Sequence, residues 1–348
     1  MAKQAEGLVP AKQRVHWVDC TKAIGSLLVI VGHSHLEVEG LRGLIYSFHM
    51  PLFFLLSGAT FHFSKNSTEF LVRAQKTFRH LMLPVIVIFL ISTAVNALRT
   101  PPQVFSSWDG VLEYARSVIL QASFASGIEV SVFSAEVPAL GMPWFLVTLA
   151  LGRILFDYLH LRMGQRKFVI SCVVLSFIGV IVGKVQYLPL SFDIVLVLPL
   201  LLYIGGCLIR LAIEKASLRK TIVYGGIWAA LTLGIYLFTD EYLEMARRSY
   251  PLYPVSMVGA VFGTLMTAEF SAFLVEKVKP ISRPLVYIGE NSLYLLYVHM
   301  FDVSFLGRLW NITEIQYINV FLRIVVDLAI FGLLMAARKG IRCLRERT

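Results

Sequence analysis

Trp17-Val-Asp-Cys-Thr-Lys-Ala-Ile-Gly-Ser-Leu-Leu-Val-Ile-Val-Gly-His-Ser-His35 has the length and apolar content of a membrane-crossing helix, yet it carries Asp19, Lys22 and His33. An ionisable group inside a bilayer costs roughly 2.5–3.5 kcal/mol on insertion scales unless it faces a protein interior or a water-filled cavity. At 100° and 1.5 Å per residue, Lys22 and His33 fall within about 20° of one face and about 16 Å apart along the axis. Asp19 lies within about 40° of His33 on that face. A charge near one surface and an imidazole most of the way to the other, on one stripe, predict a polar path through a helical bundle.

The rest of the chain supplies the bundle. Of its 348 residues 57% are hydrophobic and 16% charged, and the mean hydropathy is +0.71. That excludes a soluble protein of this length. Ten stretches of about 20 residues are long enough to cross a hydrocarbon core: approximately 17–36, 43–62, 80–98, 143–161, 168–187, 191–210, 221–239, 253–274, 284–306 and 317–337. The expectation is an all-α polytopic bundle of about ten transmembrane helices, forming one membrane domain over 1–348. Its tails, 1–16 and 338–348, are short, and its one long connection is 99–142.

The net charge of +10 does not point to nucleic acid, because the basic residues sit in short connections between apolar runs. With the N-terminus inside, the inner segments hold 22 Lys+Arg and the outer ones 7, which predicts cytoplasmic N- and C-termini. The N-terminal run has no small-residue cleavage site after it and is not expected to be a cleaved signal. Cys20, Cys172, Cys207 and Cys343 map to the cytoplasmic side or half, so no disulfide framework is expected. The connection 99–142 is outside, holds an amphipathic stretch near 110–122, and is long enough to suggest a role of its own.

Orientation assigns each polar residue a depth. Lys22 lies at the inner end of the first span. Arg73, Lys76 and Arg79 lie just inside the membrane before the third, and their spacing of three suits a polyanion such as a pyrophosphate. Anchoring to lipid phosphates explains the same spacing equally well. Toward the outer leaflet stand His33, His35, His49, Trp144, His299 and Asp302. A neutral imidazole accepts a proton from a hydroxyl near pH 7, the requirement for a general base; His35, at the surface, reads as structural. Arg153 with Asp157, and Arg323 with Asp327, are four apart and can neutralise each other within one helix. Glu290 and Asn291 lie in the inner half of the ninth span, and Glu269 has no evident local partner. Gly205-Gly206 and Gly225-Gly226 read as close helix packing. There is no phosphate-binding glycine loop with lysine, no His-Glu-x-x-His pair and no Gly-x-Ser-x-Gly elbow.

These motifs resemble acyltransferase family 3 of integral membrane proteins, in particular its fucose 4-O-acetylase-like sugar acetyltransferases. Lys22 followed by ten residues and His33 is similar to that family's first-span signature, and Phe48-His-Met-Pro-Leu-Phe-Phe-Leu-Leu-Ser-Gly58 to its second-span motif. Lys76-Thr-Phe-Arg-His-Leu-Met-Leu-Pro84, Trp144-Phe-Leu146 and Asn291-Ser292 followed by His299 resemble later ones. Leu296 stands where the family often has tyrosine. The resemblance implies O-acetyl transfer from cytoplasmic acetyl-CoA, without a metal, to a sugar hydroxyl on a surface or exported glycan or glycolipid, in a bacterial inner membrane. Lys22, Arg73, Lys76 and Arg79 would hold the donor's phosphates. His33, held by Asp19 or another carboxylate, would act as base or acyl carrier with His49 and His299 nearby. Trp144, Asp302 and Glu290 are the substrate-binding candidates. Association with a second copy of the chain is compatible with this reading. The rivals are a transporter or flippase of a lipid-linked glycan, against which the lack of recognisable repeats or paired broken helices weighs, and an acyltransferase with a non-sugar acceptor.

Overall fold

The computed structural model describes residues 15–34, 40–209, 216–306 and 312–345; His35 and nearly all of the N-terminal tail lie outside the described residues. The chain is almost wholly helical. It runs through α1 (His16–Gly32), a short α2 (Leu41–Tyr46), α3 (His49–Ala59), α4 (Ser67–Arg99) and α5 (Trp108–Phe124). A small antiparallel hairpin follows, β1 (Val130–Val132) with β2 (Ala135–Val137). Then come α6 (Trp144–Arg162), α7 (Gln165–Val185), α8 (Phe192–Ile204), α9 (Leu218–Thr239), α10 (Val255–Lys277), α11 (Lys279–Glu290), α12 (Ser292–Phe301) and α13 (Gln316–Arg345).

Among the described residues seven helical segments are long and apolar enough to cross a membrane. The long exposed flank of α4, with Leu83, Ile86, Val87 and Leu90, is apolar enough to face lipid. These features identify a multi-pass membrane protein. The other three expected spans take irregular forms. The first is the 17-residue α1. The second is split into α2 and α3 at Ser47–Phe48, and the third into α11 and α12 at Asn291, after which Asp302–Leu306 winds as a π turn. The Asn291 amide donates to the Tyr287 carbonyl (3.0 Å), a local bond that competes with helix continuation. The three irregular segments are the ones that carry His33, His49 and His299.

Helix α1 is the axis of the bundle, packing against α2, α3, α10, α11, α12 and α13. Its approach to α11 is set by Gly289: a Cβ there would lie 1.7 Å from the Asp19 carbonyl oxygen. On the other side Gly205 lies against the Leu55 backbone of α3, where a Cβ would come within 2.0 Å of its carbonyl. Gly226, also read as a packing glycine, faces open space.

Both intrahelical ion pairs expected from i,i+4 spacing are split. Asp157 accepts from the Ser64 amide (2.9 Å) and hydroxyl (2.6 Å), while Arg153 donates to the Ser57 hydroxyl and lies over the Phe61 ring. Arg323 and Asp327 likewise bond to other helices. Packing against other helices offers each group a partner that its own helix does not: two donors from Ser64 for Asp157 and the His299 ring for Asp327. Glu269, without a local partner in sequence, meets Lys220 of α9 at 3.5 Å.

The connection 99–142 is structured. The amphipathic stretch becomes α5, whose Tyr114 hydroxyl donates to the Thr93 carbonyl of α4 (3.0 Å). Beyond it, Arg248 is buried and bonded to Asp193 (2.7 Å), Ser191 (3.0 Å) and Ser126 (3.3 Å), which clamps the connections at this end of the bundle together. The α1–α11 contact is testable in detergent-solubilised protein. Gly289→Ala lowers the thermal midpoint by an amount equivalent to about 2–3 kcal/mol. Gly234→Ala, in open space on α9, leaves it unchanged or raises it, by up to about 1 kcal/mol. Equal midpoints for the two variants contradict this packing.

Candidate active site

A cavity of about 840 Å³ lies among α1, α3, α4, α6 and α12. On α1, Lys22, Ser26, Val29, Ile30 and His33 line it, the three- and four-residue steps of one helical stripe. Its walls hold Arg73, Lys76 and His80 of α4 and Arg153 of α6 toward the Lys22 end, and Trp144 and His299 with His33.

The cationic end differs in detail from the sequence expectation. Lys22 and Lys76 line the cavity, as does Arg73, which is held by two bonds to Glu69 (2.9 and 2.6 Å) and one to the His62 carbonyl (2.9 Å). Arg79 is exposed and does not line it. Each step of three falls about 60° short of a full turn, so Arg79 is turned about 120° from Arg73. His80, seven residues after Arg73, returns to within about 20° and does line the cavity. A seven-residue spacing was the signal available in the sequence. Among the described residues Lys76 and Arg153 have no carboxylate within ion-pair distance.

At the other end His33 caps α1. Its Nδ1–H donates to the Val29 carbonyl (2.8 Å), which leaves the Nε2 lone pair as the acceptor. Asp19 does not hold this ring. It is buried beside Lys22, 3.4 Å from the ammonium, and fourteen residues of helix, about 21 Å, separate it from His33. The carboxylate expected behind a histidine is found instead behind His299, whose Nδ1–H donates to Asp327 at 2.7 Å. The two rings stand edge to face, 5.7 Å apart. The His299 Nε2 is buried with no hydrogen-bond partner among the described residues.

Convergence of three histidines is thus met by two at the cavity wall. His49 is buried outside the lining, its Nδ1–H on the Ile45 carbonyl (2.9 Å), and the Tyr46 ring lies 4.8 Å from His49 and 6.1 Å from His33. Asp302 and Glu290, expected to meet substrate, also lie outside the lining. Asp302 is wholly buried and accepts from Arg323 Nε at 2.6 Å. Glu290 is exposed at the end of α11, within reach of His16 and Asp19 near the Lys22 end. Trp144 lines the cavity and packs so closely on the long connection that a Cβ on Gly127 would come within 2.5 Å of its ring.

Arg323 was not singled out as functional, and it ties the site together. Besides Asp302, it donates from Nη1 to the His33 carbonyl at 2.7 Å, where the negative end of the α1 dipole favours a cation. The ligand-capable atoms of His299, Asp302 and Asp327 lie within 4.8 Å of one another, and Arg323 opposes the charge of Asp302 within this cluster. Removing that cation leaves buried carboxylate charge uncompensated. Arg323→Met is expected to cost about 3–5 kcal/mol, read as a lowered thermal midpoint, and adding Asp302→Leu to recover a large part of it. A double variant as unstable as the sum of the singles contradicts the pairing.

Against this geometry stand the comparisons with known proteins. A family model described as an acyltransferase domain matches residues 15–337. No curated protein and no solved structure matches.

Proposed function

This chain belongs to acyltransferase family 3, and from that premise we propose that it is a membrane O-acetyltransferase, moving acetyl from cytoplasmic acetyl-CoA to a sugar hydroxyl of a surface or exported glycan. The observation that carries the reading is a cavity lined by the cations Lys22, Arg73 and Lys76 and also by His33. Lys22 and His33 are about 16 Å apart on the α1 stripe, a distance an extended pantetheine arm covers. Lys22, Arg73 and Lys76 suit the donor's phosphates, with His80 beside them, because ammonium and guanidinium groups bind phosphate oxygens through charge-assisted bonds. The thioester would then rest near the His33 Nε2, which its Nδ1 bond leaves free to act as nucleophile or base.

The acceptor would approach from the Trp144 end, where an indole face suits the apolar face of a sugar ring. The basic bias of the inner connections supports cytoplasmic termini and donor access from the cytoplasm, in a bacterial plasma membrane. The split spans are also a transporter feature; the acyltransferase match favours group transfer over transport.

The test is acetyl transfer by purified protein in nanodiscs, from labelled acetyl-CoA to a panel of octyl glycosides. His33→Ala is expected to lose at least about 10³-fold in kcat. Lys76→Ala and Lys22→Ala are expected to raise the KM for acetyl-CoA about tenfold each, as expected for lost charge-assisted bonds. Arg79→Ala is expected to change neither constant. Full activity of His33→Ala, or equal effects of Arg79→Ala and Lys76→Ala, contradict the reading.

A further inference from the structure

We propose that the two histidines divide the reaction: His33 accepts the acyl group, and His299, backed by Asp327, takes the proton of the acceptor hydroxyl. The inference rests on the transferase reading and assigns the chemistry within it.

The distinction lies in what stands behind each ring. Both Nδ1–H groups are engaged, so both Nε2 atoms carry lone pairs. Behind His33 is a neutral backbone carbonyl, Val29 O at 2.8 Å. Behind His299 is the Asp327 carboxylate, at 2.7 Å and wholly buried. A carboxylate in that position orients the ring and stabilises the imidazolium formed when Nε2 accepts a proton. A carbonyl gives orientation with less of that stabilisation. The Arg323 charge beside them is directed to Asp302 at 2.6 Å rather than to Asp327. His299 is 1% exposed, its Nε2 has no partner among the described residues, and its ring forms part of the cavity wall. A buried polar atom left unpaired is costly, so this lone pair is suited to a donor arriving with substrate. His33 lies on the same α1 stripe as Lys22 and is the ring that the donor arm meets.

The steps balance. The His33 Nε2 attacks the thioester carbonyl, an N–C bond forms, the C–S bond breaks, and the thiolate leaves toward the Lys22 end. The acceptor oxygen then attacks the acyl carbon, an O–C bond forms and the N–C bond breaks. The hydroxyl proton passes to the His299 Nε2, 5.7 Å being the separation between the ring centres. His33 returns to its neutral form. The proton on His299 and the charge on the thiolate cancel through solvent. Asp327 is a positioning residue, since it acts through His299.

Exchange of labelled CoA into unlabelled acetyl-CoA, without acceptor, reads the first half alone, because it requires an acyl-enzyme. Transfer to the best octyl glycoside reads both halves. His33→Ala is expected to abolish exchange and transfer. His299→Gln and the isosteric Asp327→Asn are expected to keep exchange within about threefold while losing transfer at least about 10²-fold, the usual contribution of a general base. Hydroxylamine, which attacks acyl groups without base assistance, should still yield acetyl hydroxamate with both variants. Should Asp327→Asn not accumulate as folded protein, His299→Gln carries the test. Loss of exchange in His299→Gln, retention of its transfer, or a wild type that transfers without exchanging overturns the division. A wild type that transfers acetyl to no glycoside yet exchanges CoA preserves the acyl-enzyme and overturns the sugar acceptor; one that does neither removes both readings together.

Discussion

The rest of the site depends on one buried cation. Arg323 reaches from α13 to Asp302 at the end of α12 and to the last carbonyl of α1. A guanidinium taken out of water is tolerated only when its donors are met and its charge is opposed. Asp302 provides the opposing charge, and the α1 terminus provides a concentrated partial charge of the same sign. Because both acceptors are fixed to helix ends, satisfying Arg323 fixes where those ends lie. His33 and His299 project from these ends, so their 5.7 Å separation follows from an electrostatic requirement rather than from apolar packing alone.

The same requirement explains the irregular helices. A regular span satisfies its own backbone and presents few polar groups, as the flank of α4 does. The segments bearing the histidines instead stop, bend or change pitch: α1 ends at His33, α3 starts at His49, and α12 passes into a π turn at Asp302. At these ends side chains meet backbone carbonyls: the His33 and His49 rings donate to Val29 and Ile45, and Arg323 donates to the His33 carbonyl. Non-helical backbone at membrane depth is sustained where protein or a cavity surrounds it, and α1, packed by six other helices, is so surrounded.

Much of this was legible in the sequence because helical geometry is local. The stripe from Lys22 to His33 follows from rise and twist alone, and both residues line the cavity. The same arithmetic, carried far enough, excludes Arg79 and selects His80. Contacts between helices were not legible. Spacing alone paired Arg323 with Asp327 and Arg153 with Asp157, whereas three-dimensional packing gave Asp327 to His299, Asp157 to Ser64 and Arg153 to Ser57. Asp19 was near His33 in angle yet about 21 Å away in depth, and depth decided which carboxylate could serve which imidazole. The split of the second and ninth spans was likewise hidden, since an apolar run of the right length does not show where its backbone bonds turn to side chains.

The central claim is that one cavity carries a donor from the cations of α1 and α4 to His33. The most direct measurement is a cryo-EM structure of the protein in nanodiscs with a non-hydrolysable acetyl-CoA analogue. The account predicts phosphate density beside Lys22, Arg73 and Lys76, the pantetheine arm along the α1 stripe, and the acyl carbon about 3–3.5 Å from the His33 Nε2. Phosphate density at the Trp144 end, or an arm outside the cavity, would contradict it.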